Sequence, residues 1–385
     1  MGVIMKPYQS LKKFMVIGII LLFFGISIIS SSAQLTEEPY SSTSKGNWLY
    51  VGGNGPGNYS KIQDALDDAQ DGDTVFIYDD SSPYNENIFI NSSLSLLGEN
   101  QITTQLNGKS QSHTITVNAP NTVISGLTIS QTIIDHNSEF TNIFIKTDNN
   151  KIYNNTIING KNGIYCLNCS TIIIQNLTIS HCEYGLYLWQ IHDSSINNNL
   201  ISECITAVYG YTCKNCDFFK NTIYDSVDGF YMVKGRQNRY HYNNLHDNNN
   251  VGMSVDGDIQ YNVITNSYYG AFVGQGVFSH NIIQNCNLGM ESTGFITIKY
   301  NTIRNCSFRG IMVAYILTIV SHNNFFNNSD DASFEQAILT RWYGNYWHRP
   351  LYQPKIIIGY VGFWYISIPL INFDWSPAKE PYDIS

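Results

Sequence analysis

The sequence predicts an all-β solenoid, a right-handed parallel β-helix of roughly ten rungs with a short capping helix at its start and an aromatic-rich cap at its end. Three observations support this. An asparagine-led unit recurs about every 22 residues, a small residue opens an alternating strand in each interval, and no Pro/Gly/Ser-rich linker divides the 385 residues. A solenoid fits such a chain because added length adds rungs instead of deepening one core.

The first repeated unit is an Asn followed by two mostly apolar residues and a polar turn. The intervals between its leading residues are 44, 22, 23, 18, 19, 20 and 23 residues, and the first interval spans two turns with an off-pattern rung between them. We expect these side chains to form a ladder that passes amide hydrogen bonds from rung to rung. The ladder residues are Asn155, Asn199, Asn221, Asn244, Asn262, Asn281, Asn301 and Asn324.

The second repeated feature is a Gly or Ala that opens an alternating strand in each rung. Side chains alternate between the two faces of a strand, so the residue after the small one should point into the coil. The predicted interior residues are Ile164, Leu186, Val208, Phe230, Met253, Ala271, Met290 and Ile311.

The outward positions of the same strands carry a column of aromatic residues. Phe144 is followed at intervals of 21, 22, 22 and 22 residues by four tyrosines, with a Trp and a Tyr beside them. Such rings either hold sugar rings of an elongated glycan or stabilise the sheet as a cross-strand ladder, and both interpretations stay open. The candidate carbohydrate-binding residues are Tyr165, Tyr187, Trp189, Tyr209, Tyr211 and Tyr231.

The ends of the repeat predict two caps. Between residues 60 and 70, Ile62, Ala65, Leu66 and Ala69 share one helical face, and residues 60–63 (SKIQ) suggest a capping box. After residue 332 the repeat gives way to an aromatic-rich segment, so the solenoid is placed at 34–332 and the C-terminal cap at 333–385. The uncharged stretch 356–373 contains Gly, Pro and Asn, which favours a buried hairpin over a membrane span.

Residues 1–33 have the pattern of a targeting segment. Three lysines precede an uncharged run from Phe14 that ends in Ser-Ser-Ala, which predicts a cleaved signal peptide or, if uncleaved, a membrane anchor. Either interpretation places the protein at the cell surface or outside the cell, with a membrane contact only through this segment. The remaining chain has 18 basic and 30 acidic residues, a formal net charge of −12, so nucleic acid is not an expected partner.

Eight cysteines in an exported chain suggest disulfides. Cys182 and Cys204 share a turn position one rung apart, as do Cys286 and Cys306, so both pairs are candidate disulfides. The other four form two C-x-x-C motifs, Cys166/Cys169 and Cys213/Cys216. A zinc site is disfavoured because Cys169 and Cys213 would lie two rungs, about 10 Å, apart; buried or locally paired thiols are the preferred interpretation, and no metal site is predicted.

The N-terminal residues LYVGGNGPGNYSKIQDALDDAQDGDTVFIY, the following YNENIFINSSLSLLGE and the later YGNYW resemble right-handed β-helix proteins of archaeal cell surfaces, of the NosD and pectin-lyase-like superfamily. The resemblance covers essentially the whole mature chain. It implies the fold and leaves the function open, because that superfamily includes polysaccharide lyases, glycoside hydrolases, carbohydrate binders and a copper-processing accessory protein.

The favoured functional hypothesis is a non-catalytic extracellular protein that binds a polysaccharide along the aromatic residues. If the chain is an enzyme, a polysaccharide lyase built on Asp256, Asp258 and Arg236, with Ca²⁺ as the implied ion, is the candidate; the hydrolase signatures of the superfamily are absent. Copper handling and a passive envelope role are further alternatives. The methionines that copper would need fall on inward positions.

Overall fold

The computed structural model describes residues 46–109, 112–131, 140–314, 317–337, 339–363 and 366–384. The targeting segment predicted for residues 1–33 lies outside these ranges. Within them, no helix has the length and apolar character needed to cross a bilayer.

The described residues form one short helix, α1 (Ile62–Asp68), and 36 strands in a continuous hydrogen-bonded arrangement. The first third of the strands comprises β1 (Trp48–Val51), β2 (Thr74–Ile77), β3 (Ile88–Ile90), β4 (Ser95–Gly98), β5 (Gln105–Gly108), β6 (Ile115–Val117), β7 (Val123–Ser125), β8 (Thr128–Gln131), β9 (Thr141–Ile145), β10 (Lys151–Tyr153), β11 (Thr156–Leu167) and β12 (Ile173–Gln175).

The central strands include three of the four longest strands of the repeat region, and all four long strands pass through a corner of the coil. They are β13 (Thr178–Trp189), β14 (Ser195–Asn197), β15 (Leu200–Ser202), β16 (Thr206–Tyr211), β17 (Asp217–Phe219), β18 (Thr222–Tyr224), β19 (Asp228–Val233), β20 (Arg239–His241), β21 (Asn244–His246), β22 (Val251–Gln260), β23 (Val263–Thr265) and β24 (Tyr269–Ser279), with β11 as the fourth long strand.

The last third ends in a hairpin. Its strands are β25 (Ile282–Gln284), β26 (Leu288–Ser292), β27 (Ile296–Lys299), β28 (Thr302–Arg304), β29 (Arg309–Val313), β30 (Ile319–Ser321), β31 (Asn324–Phe326), β32 (Ala332–Glu335), β33 (Arg341–Tyr343), β34 (Tyr346–Trp347), β35 (Lys355–Phe363) and β36 (Ile366–Asp374).

Strand pairing sorts these elements into three parallel sheets that wind around one core. Each strand pairs with its equivalent on the next rung, as in β10–β12–β14–β17–β20, β15–β18–β21–β23–β25 and β16–β19–β22–β24–β26. The chain is therefore a parallel β-helix, as the repeat predicted, and it makes about 14 turns where the sequence suggested roughly ten. The count from the sequence was low because the asparagine unit is missing from the first rungs.

All eight predicted interior residues are buried, at 0 to 1% exposure. Other buried columns extend the same core, for example Ile174, Ile196, Phe218, Tyr240 and Ile259, each fully buried on the next sheet. The alternation of side chains along each strand thus places one apolar column per sheet inside the coil.

The asparagine ladder forms, but two of its predicted members were wrong. Asn243 and Asn323, not Asn244 and Asn324, occupy the buried ladder positions, and Asn244 is exposed as the first residue of β21. From Asn199 to Asn345 the backbone N–H and the Nδ2 group of one Asn donate to Oδ1 of the next, for example Asn221 to Asn243 at 3.0 Å for both bonds. The double asparagines in NNL and NNF made the register ambiguous, and the hydrogen bonds that Asn243 accepts from Asn221, and Asn323 from Asn301, decide it.

The N-terminal helix α1 plugs the coil with the predicted face, since Ile62, Ala65, Leu66 and Ala69 are at most 6% exposed. The predicted capping box was wrong: α1 begins after Lys61 and has no local side-chain cap. Instead, Glu86 from the next rung accepts the N–H groups of Ile62 at 3.0 Å and Gln63 at 3.1 Å. A carboxylate at a helix N-terminus satisfies free N–H donors and complements the helix dipole.

The stretch 356–373 forms the antiparallel hairpin β35–β36, and β35 pairs in parallel with β32 of the preceding rung. Only the inner face of the hairpin is buried, and it carries Ile357 and Val361. On the outer face, Ile356, Ile358 and Ile371 are 53 to 60% exposed. The expectation of a buried hairpin is therefore correct for the inner face and wrong for the outer face, which no strand among the described residues covers.

Candidate binding surface

The six candidate carbohydrate-binding residues lie together on the outer side of the sheet formed by β9, β11, β13, β16 and β19. Phe144, Tyr165, Tyr187, Tyr209 and Tyr231 occupy successive rungs in register, and Trp189 pairs with Tyr211 in a parallel column. We call these seven residues the aromatic face. All are half-buried except Tyr231, which is 41% exposed at the end of the column.

Most rings of the aromatic face stack on one another. The ring centroids of Tyr187 and Tyr209 are 5.0 Å apart with an interplanar angle of 16°, and those of Trp189 and Tyr211 are 4.3 Å apart. Tyr209 and Tyr231 are also nearly parallel. Stacked rings use their faces on each other, so edges and hydroxyl groups are what this part of the surface offers to a ligand.

The stack breaks between Tyr165 and Tyr187, whose rings are perpendicular at 89°. At this break a cavity of about 510 Å³ opens on the surface. Its aromatic lining comprises Phe140, Phe144, Tyr165, Tyr184 and Tyr187, and its polar lining comprises His113, Lys161, Asn162 and Glu183. We call it the aromatic cavity.

The polar groups of the aromatic cavity are held in place by the neighbouring rungs. The Thr141 N–H donates to Nδ1 of His113 at 3.1 Å, which leaves the ring proton of the neutral imidazole on Nε2. Burial lowers the pKa of His113, so the neutral form is favoured. The Nδ2 group of Asn162 donates to Oγ1 of Thr141 at 2.8 Å. The cavity therefore combines ring surfaces with fixed hydrogen-bonding groups.

Burial is also the main cause of the raised pKa values of three tyrosines on this surface. It raises the pKa of Tyr187 to about 12, with further contributions from Tyr209, Tyr165 and Tyr184. The pKa values of Tyr184 and Tyr209 are raised for the same first reason. These hydroxyl groups therefore remain protonated hydrogen-bond donors and acceptors well into the alkaline range.

The three catalytic candidates are brought to one place. Arg236, Asp256 and Asp258 line a shared recess of about 490 Å³ at a corner of the coil. Oδ1 of Asp256 accepts the N–H groups of Gly274 and Gln275, both at 2.9 Å, and Oδ1 of Asp258 accepts Nε2 of Gln260 at 2.6 Å. One oxygen of each carboxylate is thus engaged in holding the local structure.

The cysteines occupy the rungs that their spacing predicted. Cys182 and Cys204 lie on adjacent rungs and their thiols are hydrogen-bonded to each other; Cys286 and Cys306 are likewise adjacent. In the C-x-x-C motifs, Ile191 lies on the rung between Cys169 and Cys213, and all four thiols are buried. Among the described residues, no three His, Cys, Asp or Glu side chains have an arrangement suited to a metal ion.

A second ring column, missed in the sequence, runs along a different corner. Tyr242, Tyr261, His280, Tyr300 and His322 stack with centroid distances of 4.9 to 5.4 Å and share a left-handed backbone with φ between 54° and 58°. Each directly precedes a residue of the asparagine ladder, and that spacing was the available signal.

The methionines considered for copper are interior residues. Met253 and Met290 are fully buried, and Met232 is 7% exposed, so they fill the coil. His280 and His322 belong to the second ring column: His280 is stacked between Tyr261 and Tyr300, and His322 stacks on Tyr300 and meets Tyr382 edge-on. Neither set forms a solvent-facing group of soft ligands.

Comparisons with known proteins agree with this architecture. Residues 141–288 match the family described as "Right handed beta helix region", and no curated protein sequence matches the chain. Among solved structures, the A-module of mannuronan C-5 epimerase AlgE4 from Azotobacter vinelandii is 12% identical over 74% of this chain and 95% of that one, with a TM-score of 0.52.

Two further solved structures show weaker overall agreement. The A-module of AlgE6 from the same organism is 12% identical, covering 83% and 91% of the two chains at a TM-score of 0.48. DFA-IIIase from Arthrobacter chlorophenolicus A6 is 9% identical, covering 75% and 84% at a TM-score of 0.46. From the strand pairing, the family match and the AlgE4 likeness together, the fold of this chain is a right-handed parallel β-helix.

Proposed function

We propose that the protein binds a polysaccharide or surface glycan along the aromatic face, with the aromatic cavity as its central subsite. The observation that carries the proposal is the break in ring stacking at Tyr165 and Tyr187, which opens about 510 Å³ between aromatic and hydrogen-bonding side chains. Sugar rings present both C–H surfaces and hydroxyl groups, and this lining offers a partner to each.

The contact geometry sharpens the original hypothesis. Where the rings stack, as from Tyr187 to Tyr231, a sugar meets ring edges and hydroxyl groups; only at the break does it meet ring faces. Lys161 and Glu183 occupy equivalent positions on adjacent rungs beside that break, and His113 offers an Nε2–H. Export through the N-terminal segment, as proposed from the sequence, would bring this surface to extracellular glycans.

The test is retention on immobilised neutral polysaccharides in affinity electrophoresis. We expect Tyr165→Ala and Tyr184→Ala each to weaken binding about tenfold, because one aromatic contact is lost. Tyr242→Ala is the control, since it removes a stacked tyrosine, 53% exposed, from the second ring column. Equal retention of wild type and both cavity variants would contradict the proposal.

A second candidate function is supported by the shared recess of Arg236, Asp256 and Asp258. A polysaccharide lyase would need a base and a charge-neutralising group at one place, and these residues meet that spatial condition. The test is ultraviolet absorbance of unsaturated products from uronate polymers with Ca²⁺. Product formation that Asp256→Asn abolishes would favour this candidate over simple binding.

A further inference from the structure

One corner of the coil is built from four successive loops of the same design. Each has four residues bounded by two left-handed ones with φ between 50° and 57°. Its third residue faces solvent and bridges to the same position on the next rung. The loops are 168–171, 190–193, 212–215 and 234–237, and their outward residues are Ser170, His192, Lys214 and Arg236.

The next two rungs turn this corner without a loop. The ladder interval falls from 22 residues between Asn221 and Asn243 to 19 between Asn243 and Asn262, and β22 and β24 run through the corner. Gly257 and Gly276 make this possible, with φ of 139° and 117°; a Cβ at Gly276 would lie 1.8 Å from the Gly257 carbonyl oxygen. Loop 234–237 is therefore the last of the series, and its residues form one side of two adjoining recesses of about 490 and 790 Å³.

The side of the recesses that the loops form is positively charged. Lys214, Lys234 and Arg236 all line the larger recess, and Lys214 and Arg236 are stacked on adjacent rungs, about 4.8 Å apart. Like charges opposite each other on neighbouring strands are destabilising. None of the three forms an ion pair within the described ranges; Lys234 instead donates to the Tyr211 hydroxyl at 3.0 Å.

The acids nearby are engaged elsewhere. Asp256, in the same recess, accepts two backbone N–H groups through Oδ1. Asp193, the last residue of loop 190–193, accepts a hydrogen bond from the Nδ2 group of Asn215. A chain with an excess of acids thus gathers three cations at one corner, and none of them forms an ion pair with an acid among the described residues.

We propose that this corner binds the carboxylate or sulfate groups of a linear acidic glycan that runs along the coil axis. Lys214 and Arg236 lie one rung apart, so a polymer with regularly spaced charges meets one after the other. The stacked pair Trp189 and Tyr211 directly precedes the loops and supplies ring surface beside the charges. In taking the ligand to be a glycan, the inference rests on the proposed function, but it uses a corner other than the aromatic cavity.

The experiment compares affinity electrophoresis in gels containing polygalacturonate, dextran sulfate, polyphosphate or neutral dextran, at low and raised salt. We expect the double variant Lys214→Gln/Arg236→Gln to weaken binding to at least one acidic glycan about tenfold or more. The matched control Lys299→Gln/Arg304→Gln makes the same charge change on other rungs and should bind as wild type. Retention should fall as salt rises.

Three results would overturn the proposal: no retention by either acidic glycan, an undiminished affinity of the corner variant, or an equal loss in the control variant. Tighter retention by polyphosphate than by both glycans would replace the glycan with a phosphate polymer. The two proposals fail separately. Tyr165→Ala should leave acidic-glycan binding at the corner unchanged, and the corner variant should leave neutral-glycan binding unchanged.

Discussion

Asp374 accepts the final hydrogen bonds of the asparagine ladder from Asn345. Its Oδ2 receives the Asn345 N–H at 2.9 Å and Nδ2 at 3.0 Å, and also Nε1 of Trp347 at 3.1 Å. Both Asp374 and Asn345 are fully buried. From Asn199 onward each ladder Asn directs its backbone N–H and one Nδ2 hydrogen toward the next rung, so Asn345 would have two donors without acceptors; strand β36 supplies a carboxylate at that point.

This arrangement predicts that Asp374 is needed for the C-terminal end of the solenoid. We expect Asp374→Ala to lower the free energy of unfolding by about 3 kcal/mol or more, because several buried donors lose a charged acceptor. Urea denaturation followed by circular dichroism measures the change. Asp383→Ala removes an exposed acid from the same tail and should have little effect. A similar small effect for both variants would show that the ladder needs no terminal acceptor.

The register of the ladder gives a second prediction. The Asn243 side chain makes four hydrogen bonds, two accepted from Asn221 and two donated to Phe218 and Asn262, whereas its neighbour Asn244 is exposed. Asn243→Ala should therefore lower the free energy of unfolding by about 2–4 kcal/mol, and Asn244→Ala by less than about 0.5 kcal/mol. Denaturation of the two single variants side by side decides the register; the reverse order would restore the one expected from the sequence.

The two candidate disulfides should differ in reactivity. The hydrogen bond from the Cys182 thiol lowers the pKa of Cys204, whereas burial raises the pKa of Cys286 to about 11 and that of Cys306 to about 12. Since the thiolate is the attacking species, Cys182–Cys204 should form first under mild oxidation, with Cys286–Cys306 following. Mass spectrometry of alkylated peptides over time checks the order. Four unoxidised thiols at these positions after full oxidation would exclude both bridges.

The repeat made the fold predictable because each rung has the same pattern of apolar and polar residues. Period-two alternation fixed the interior residues, and in-register stacking brought Tyr165, Tyr187 and Tyr209 into one column. Contacts that occur once were not predictable in this way. Glu86 caps α1 from 24 residues away, and Asp374 reaches the ladder from a strand that is not part of the repeat.

The corner recess had a signal that was not used. The intervals of 18 and 19 residues in the asparagine units already showed that two rungs are short, and a short rung inside a series of longer ones must leave a step on the surface. The aromatic cavity had no comparable signal. It depends on the perpendicular orientation of Tyr165 and Tyr187, which side-chain packing decides and which residue spacing leaves open.

The raised pKa of Tyr187 predicts how the aromatic face responds to alkali. Its folded-state pKa of about 12 lies above the ordinary value of 10.0, so its contribution to stability is complete below about pH 10 and is lost as the pH rises toward 12. Tyr187→Phe has no hydroxyl to ionise, so its free energy of unfolding should fall less steeply than that of wild type over this interval.

Urea denaturation from neutral pH to about pH 12 measures this difference in slope. Tyr352→Phe is the control, because the Tyr352 side chain is 83% exposed and lies outside the aromatic face. Since Tyr187 is only half-buried, solvent screens its interactions, and the prediction concerns the direction of the slope. Parallel curves for wild type and Tyr187→Phe would mean that burial and the neighbouring rings of Tyr209, Tyr165 and Tyr184 do not hold this hydroxyl in its neutral form.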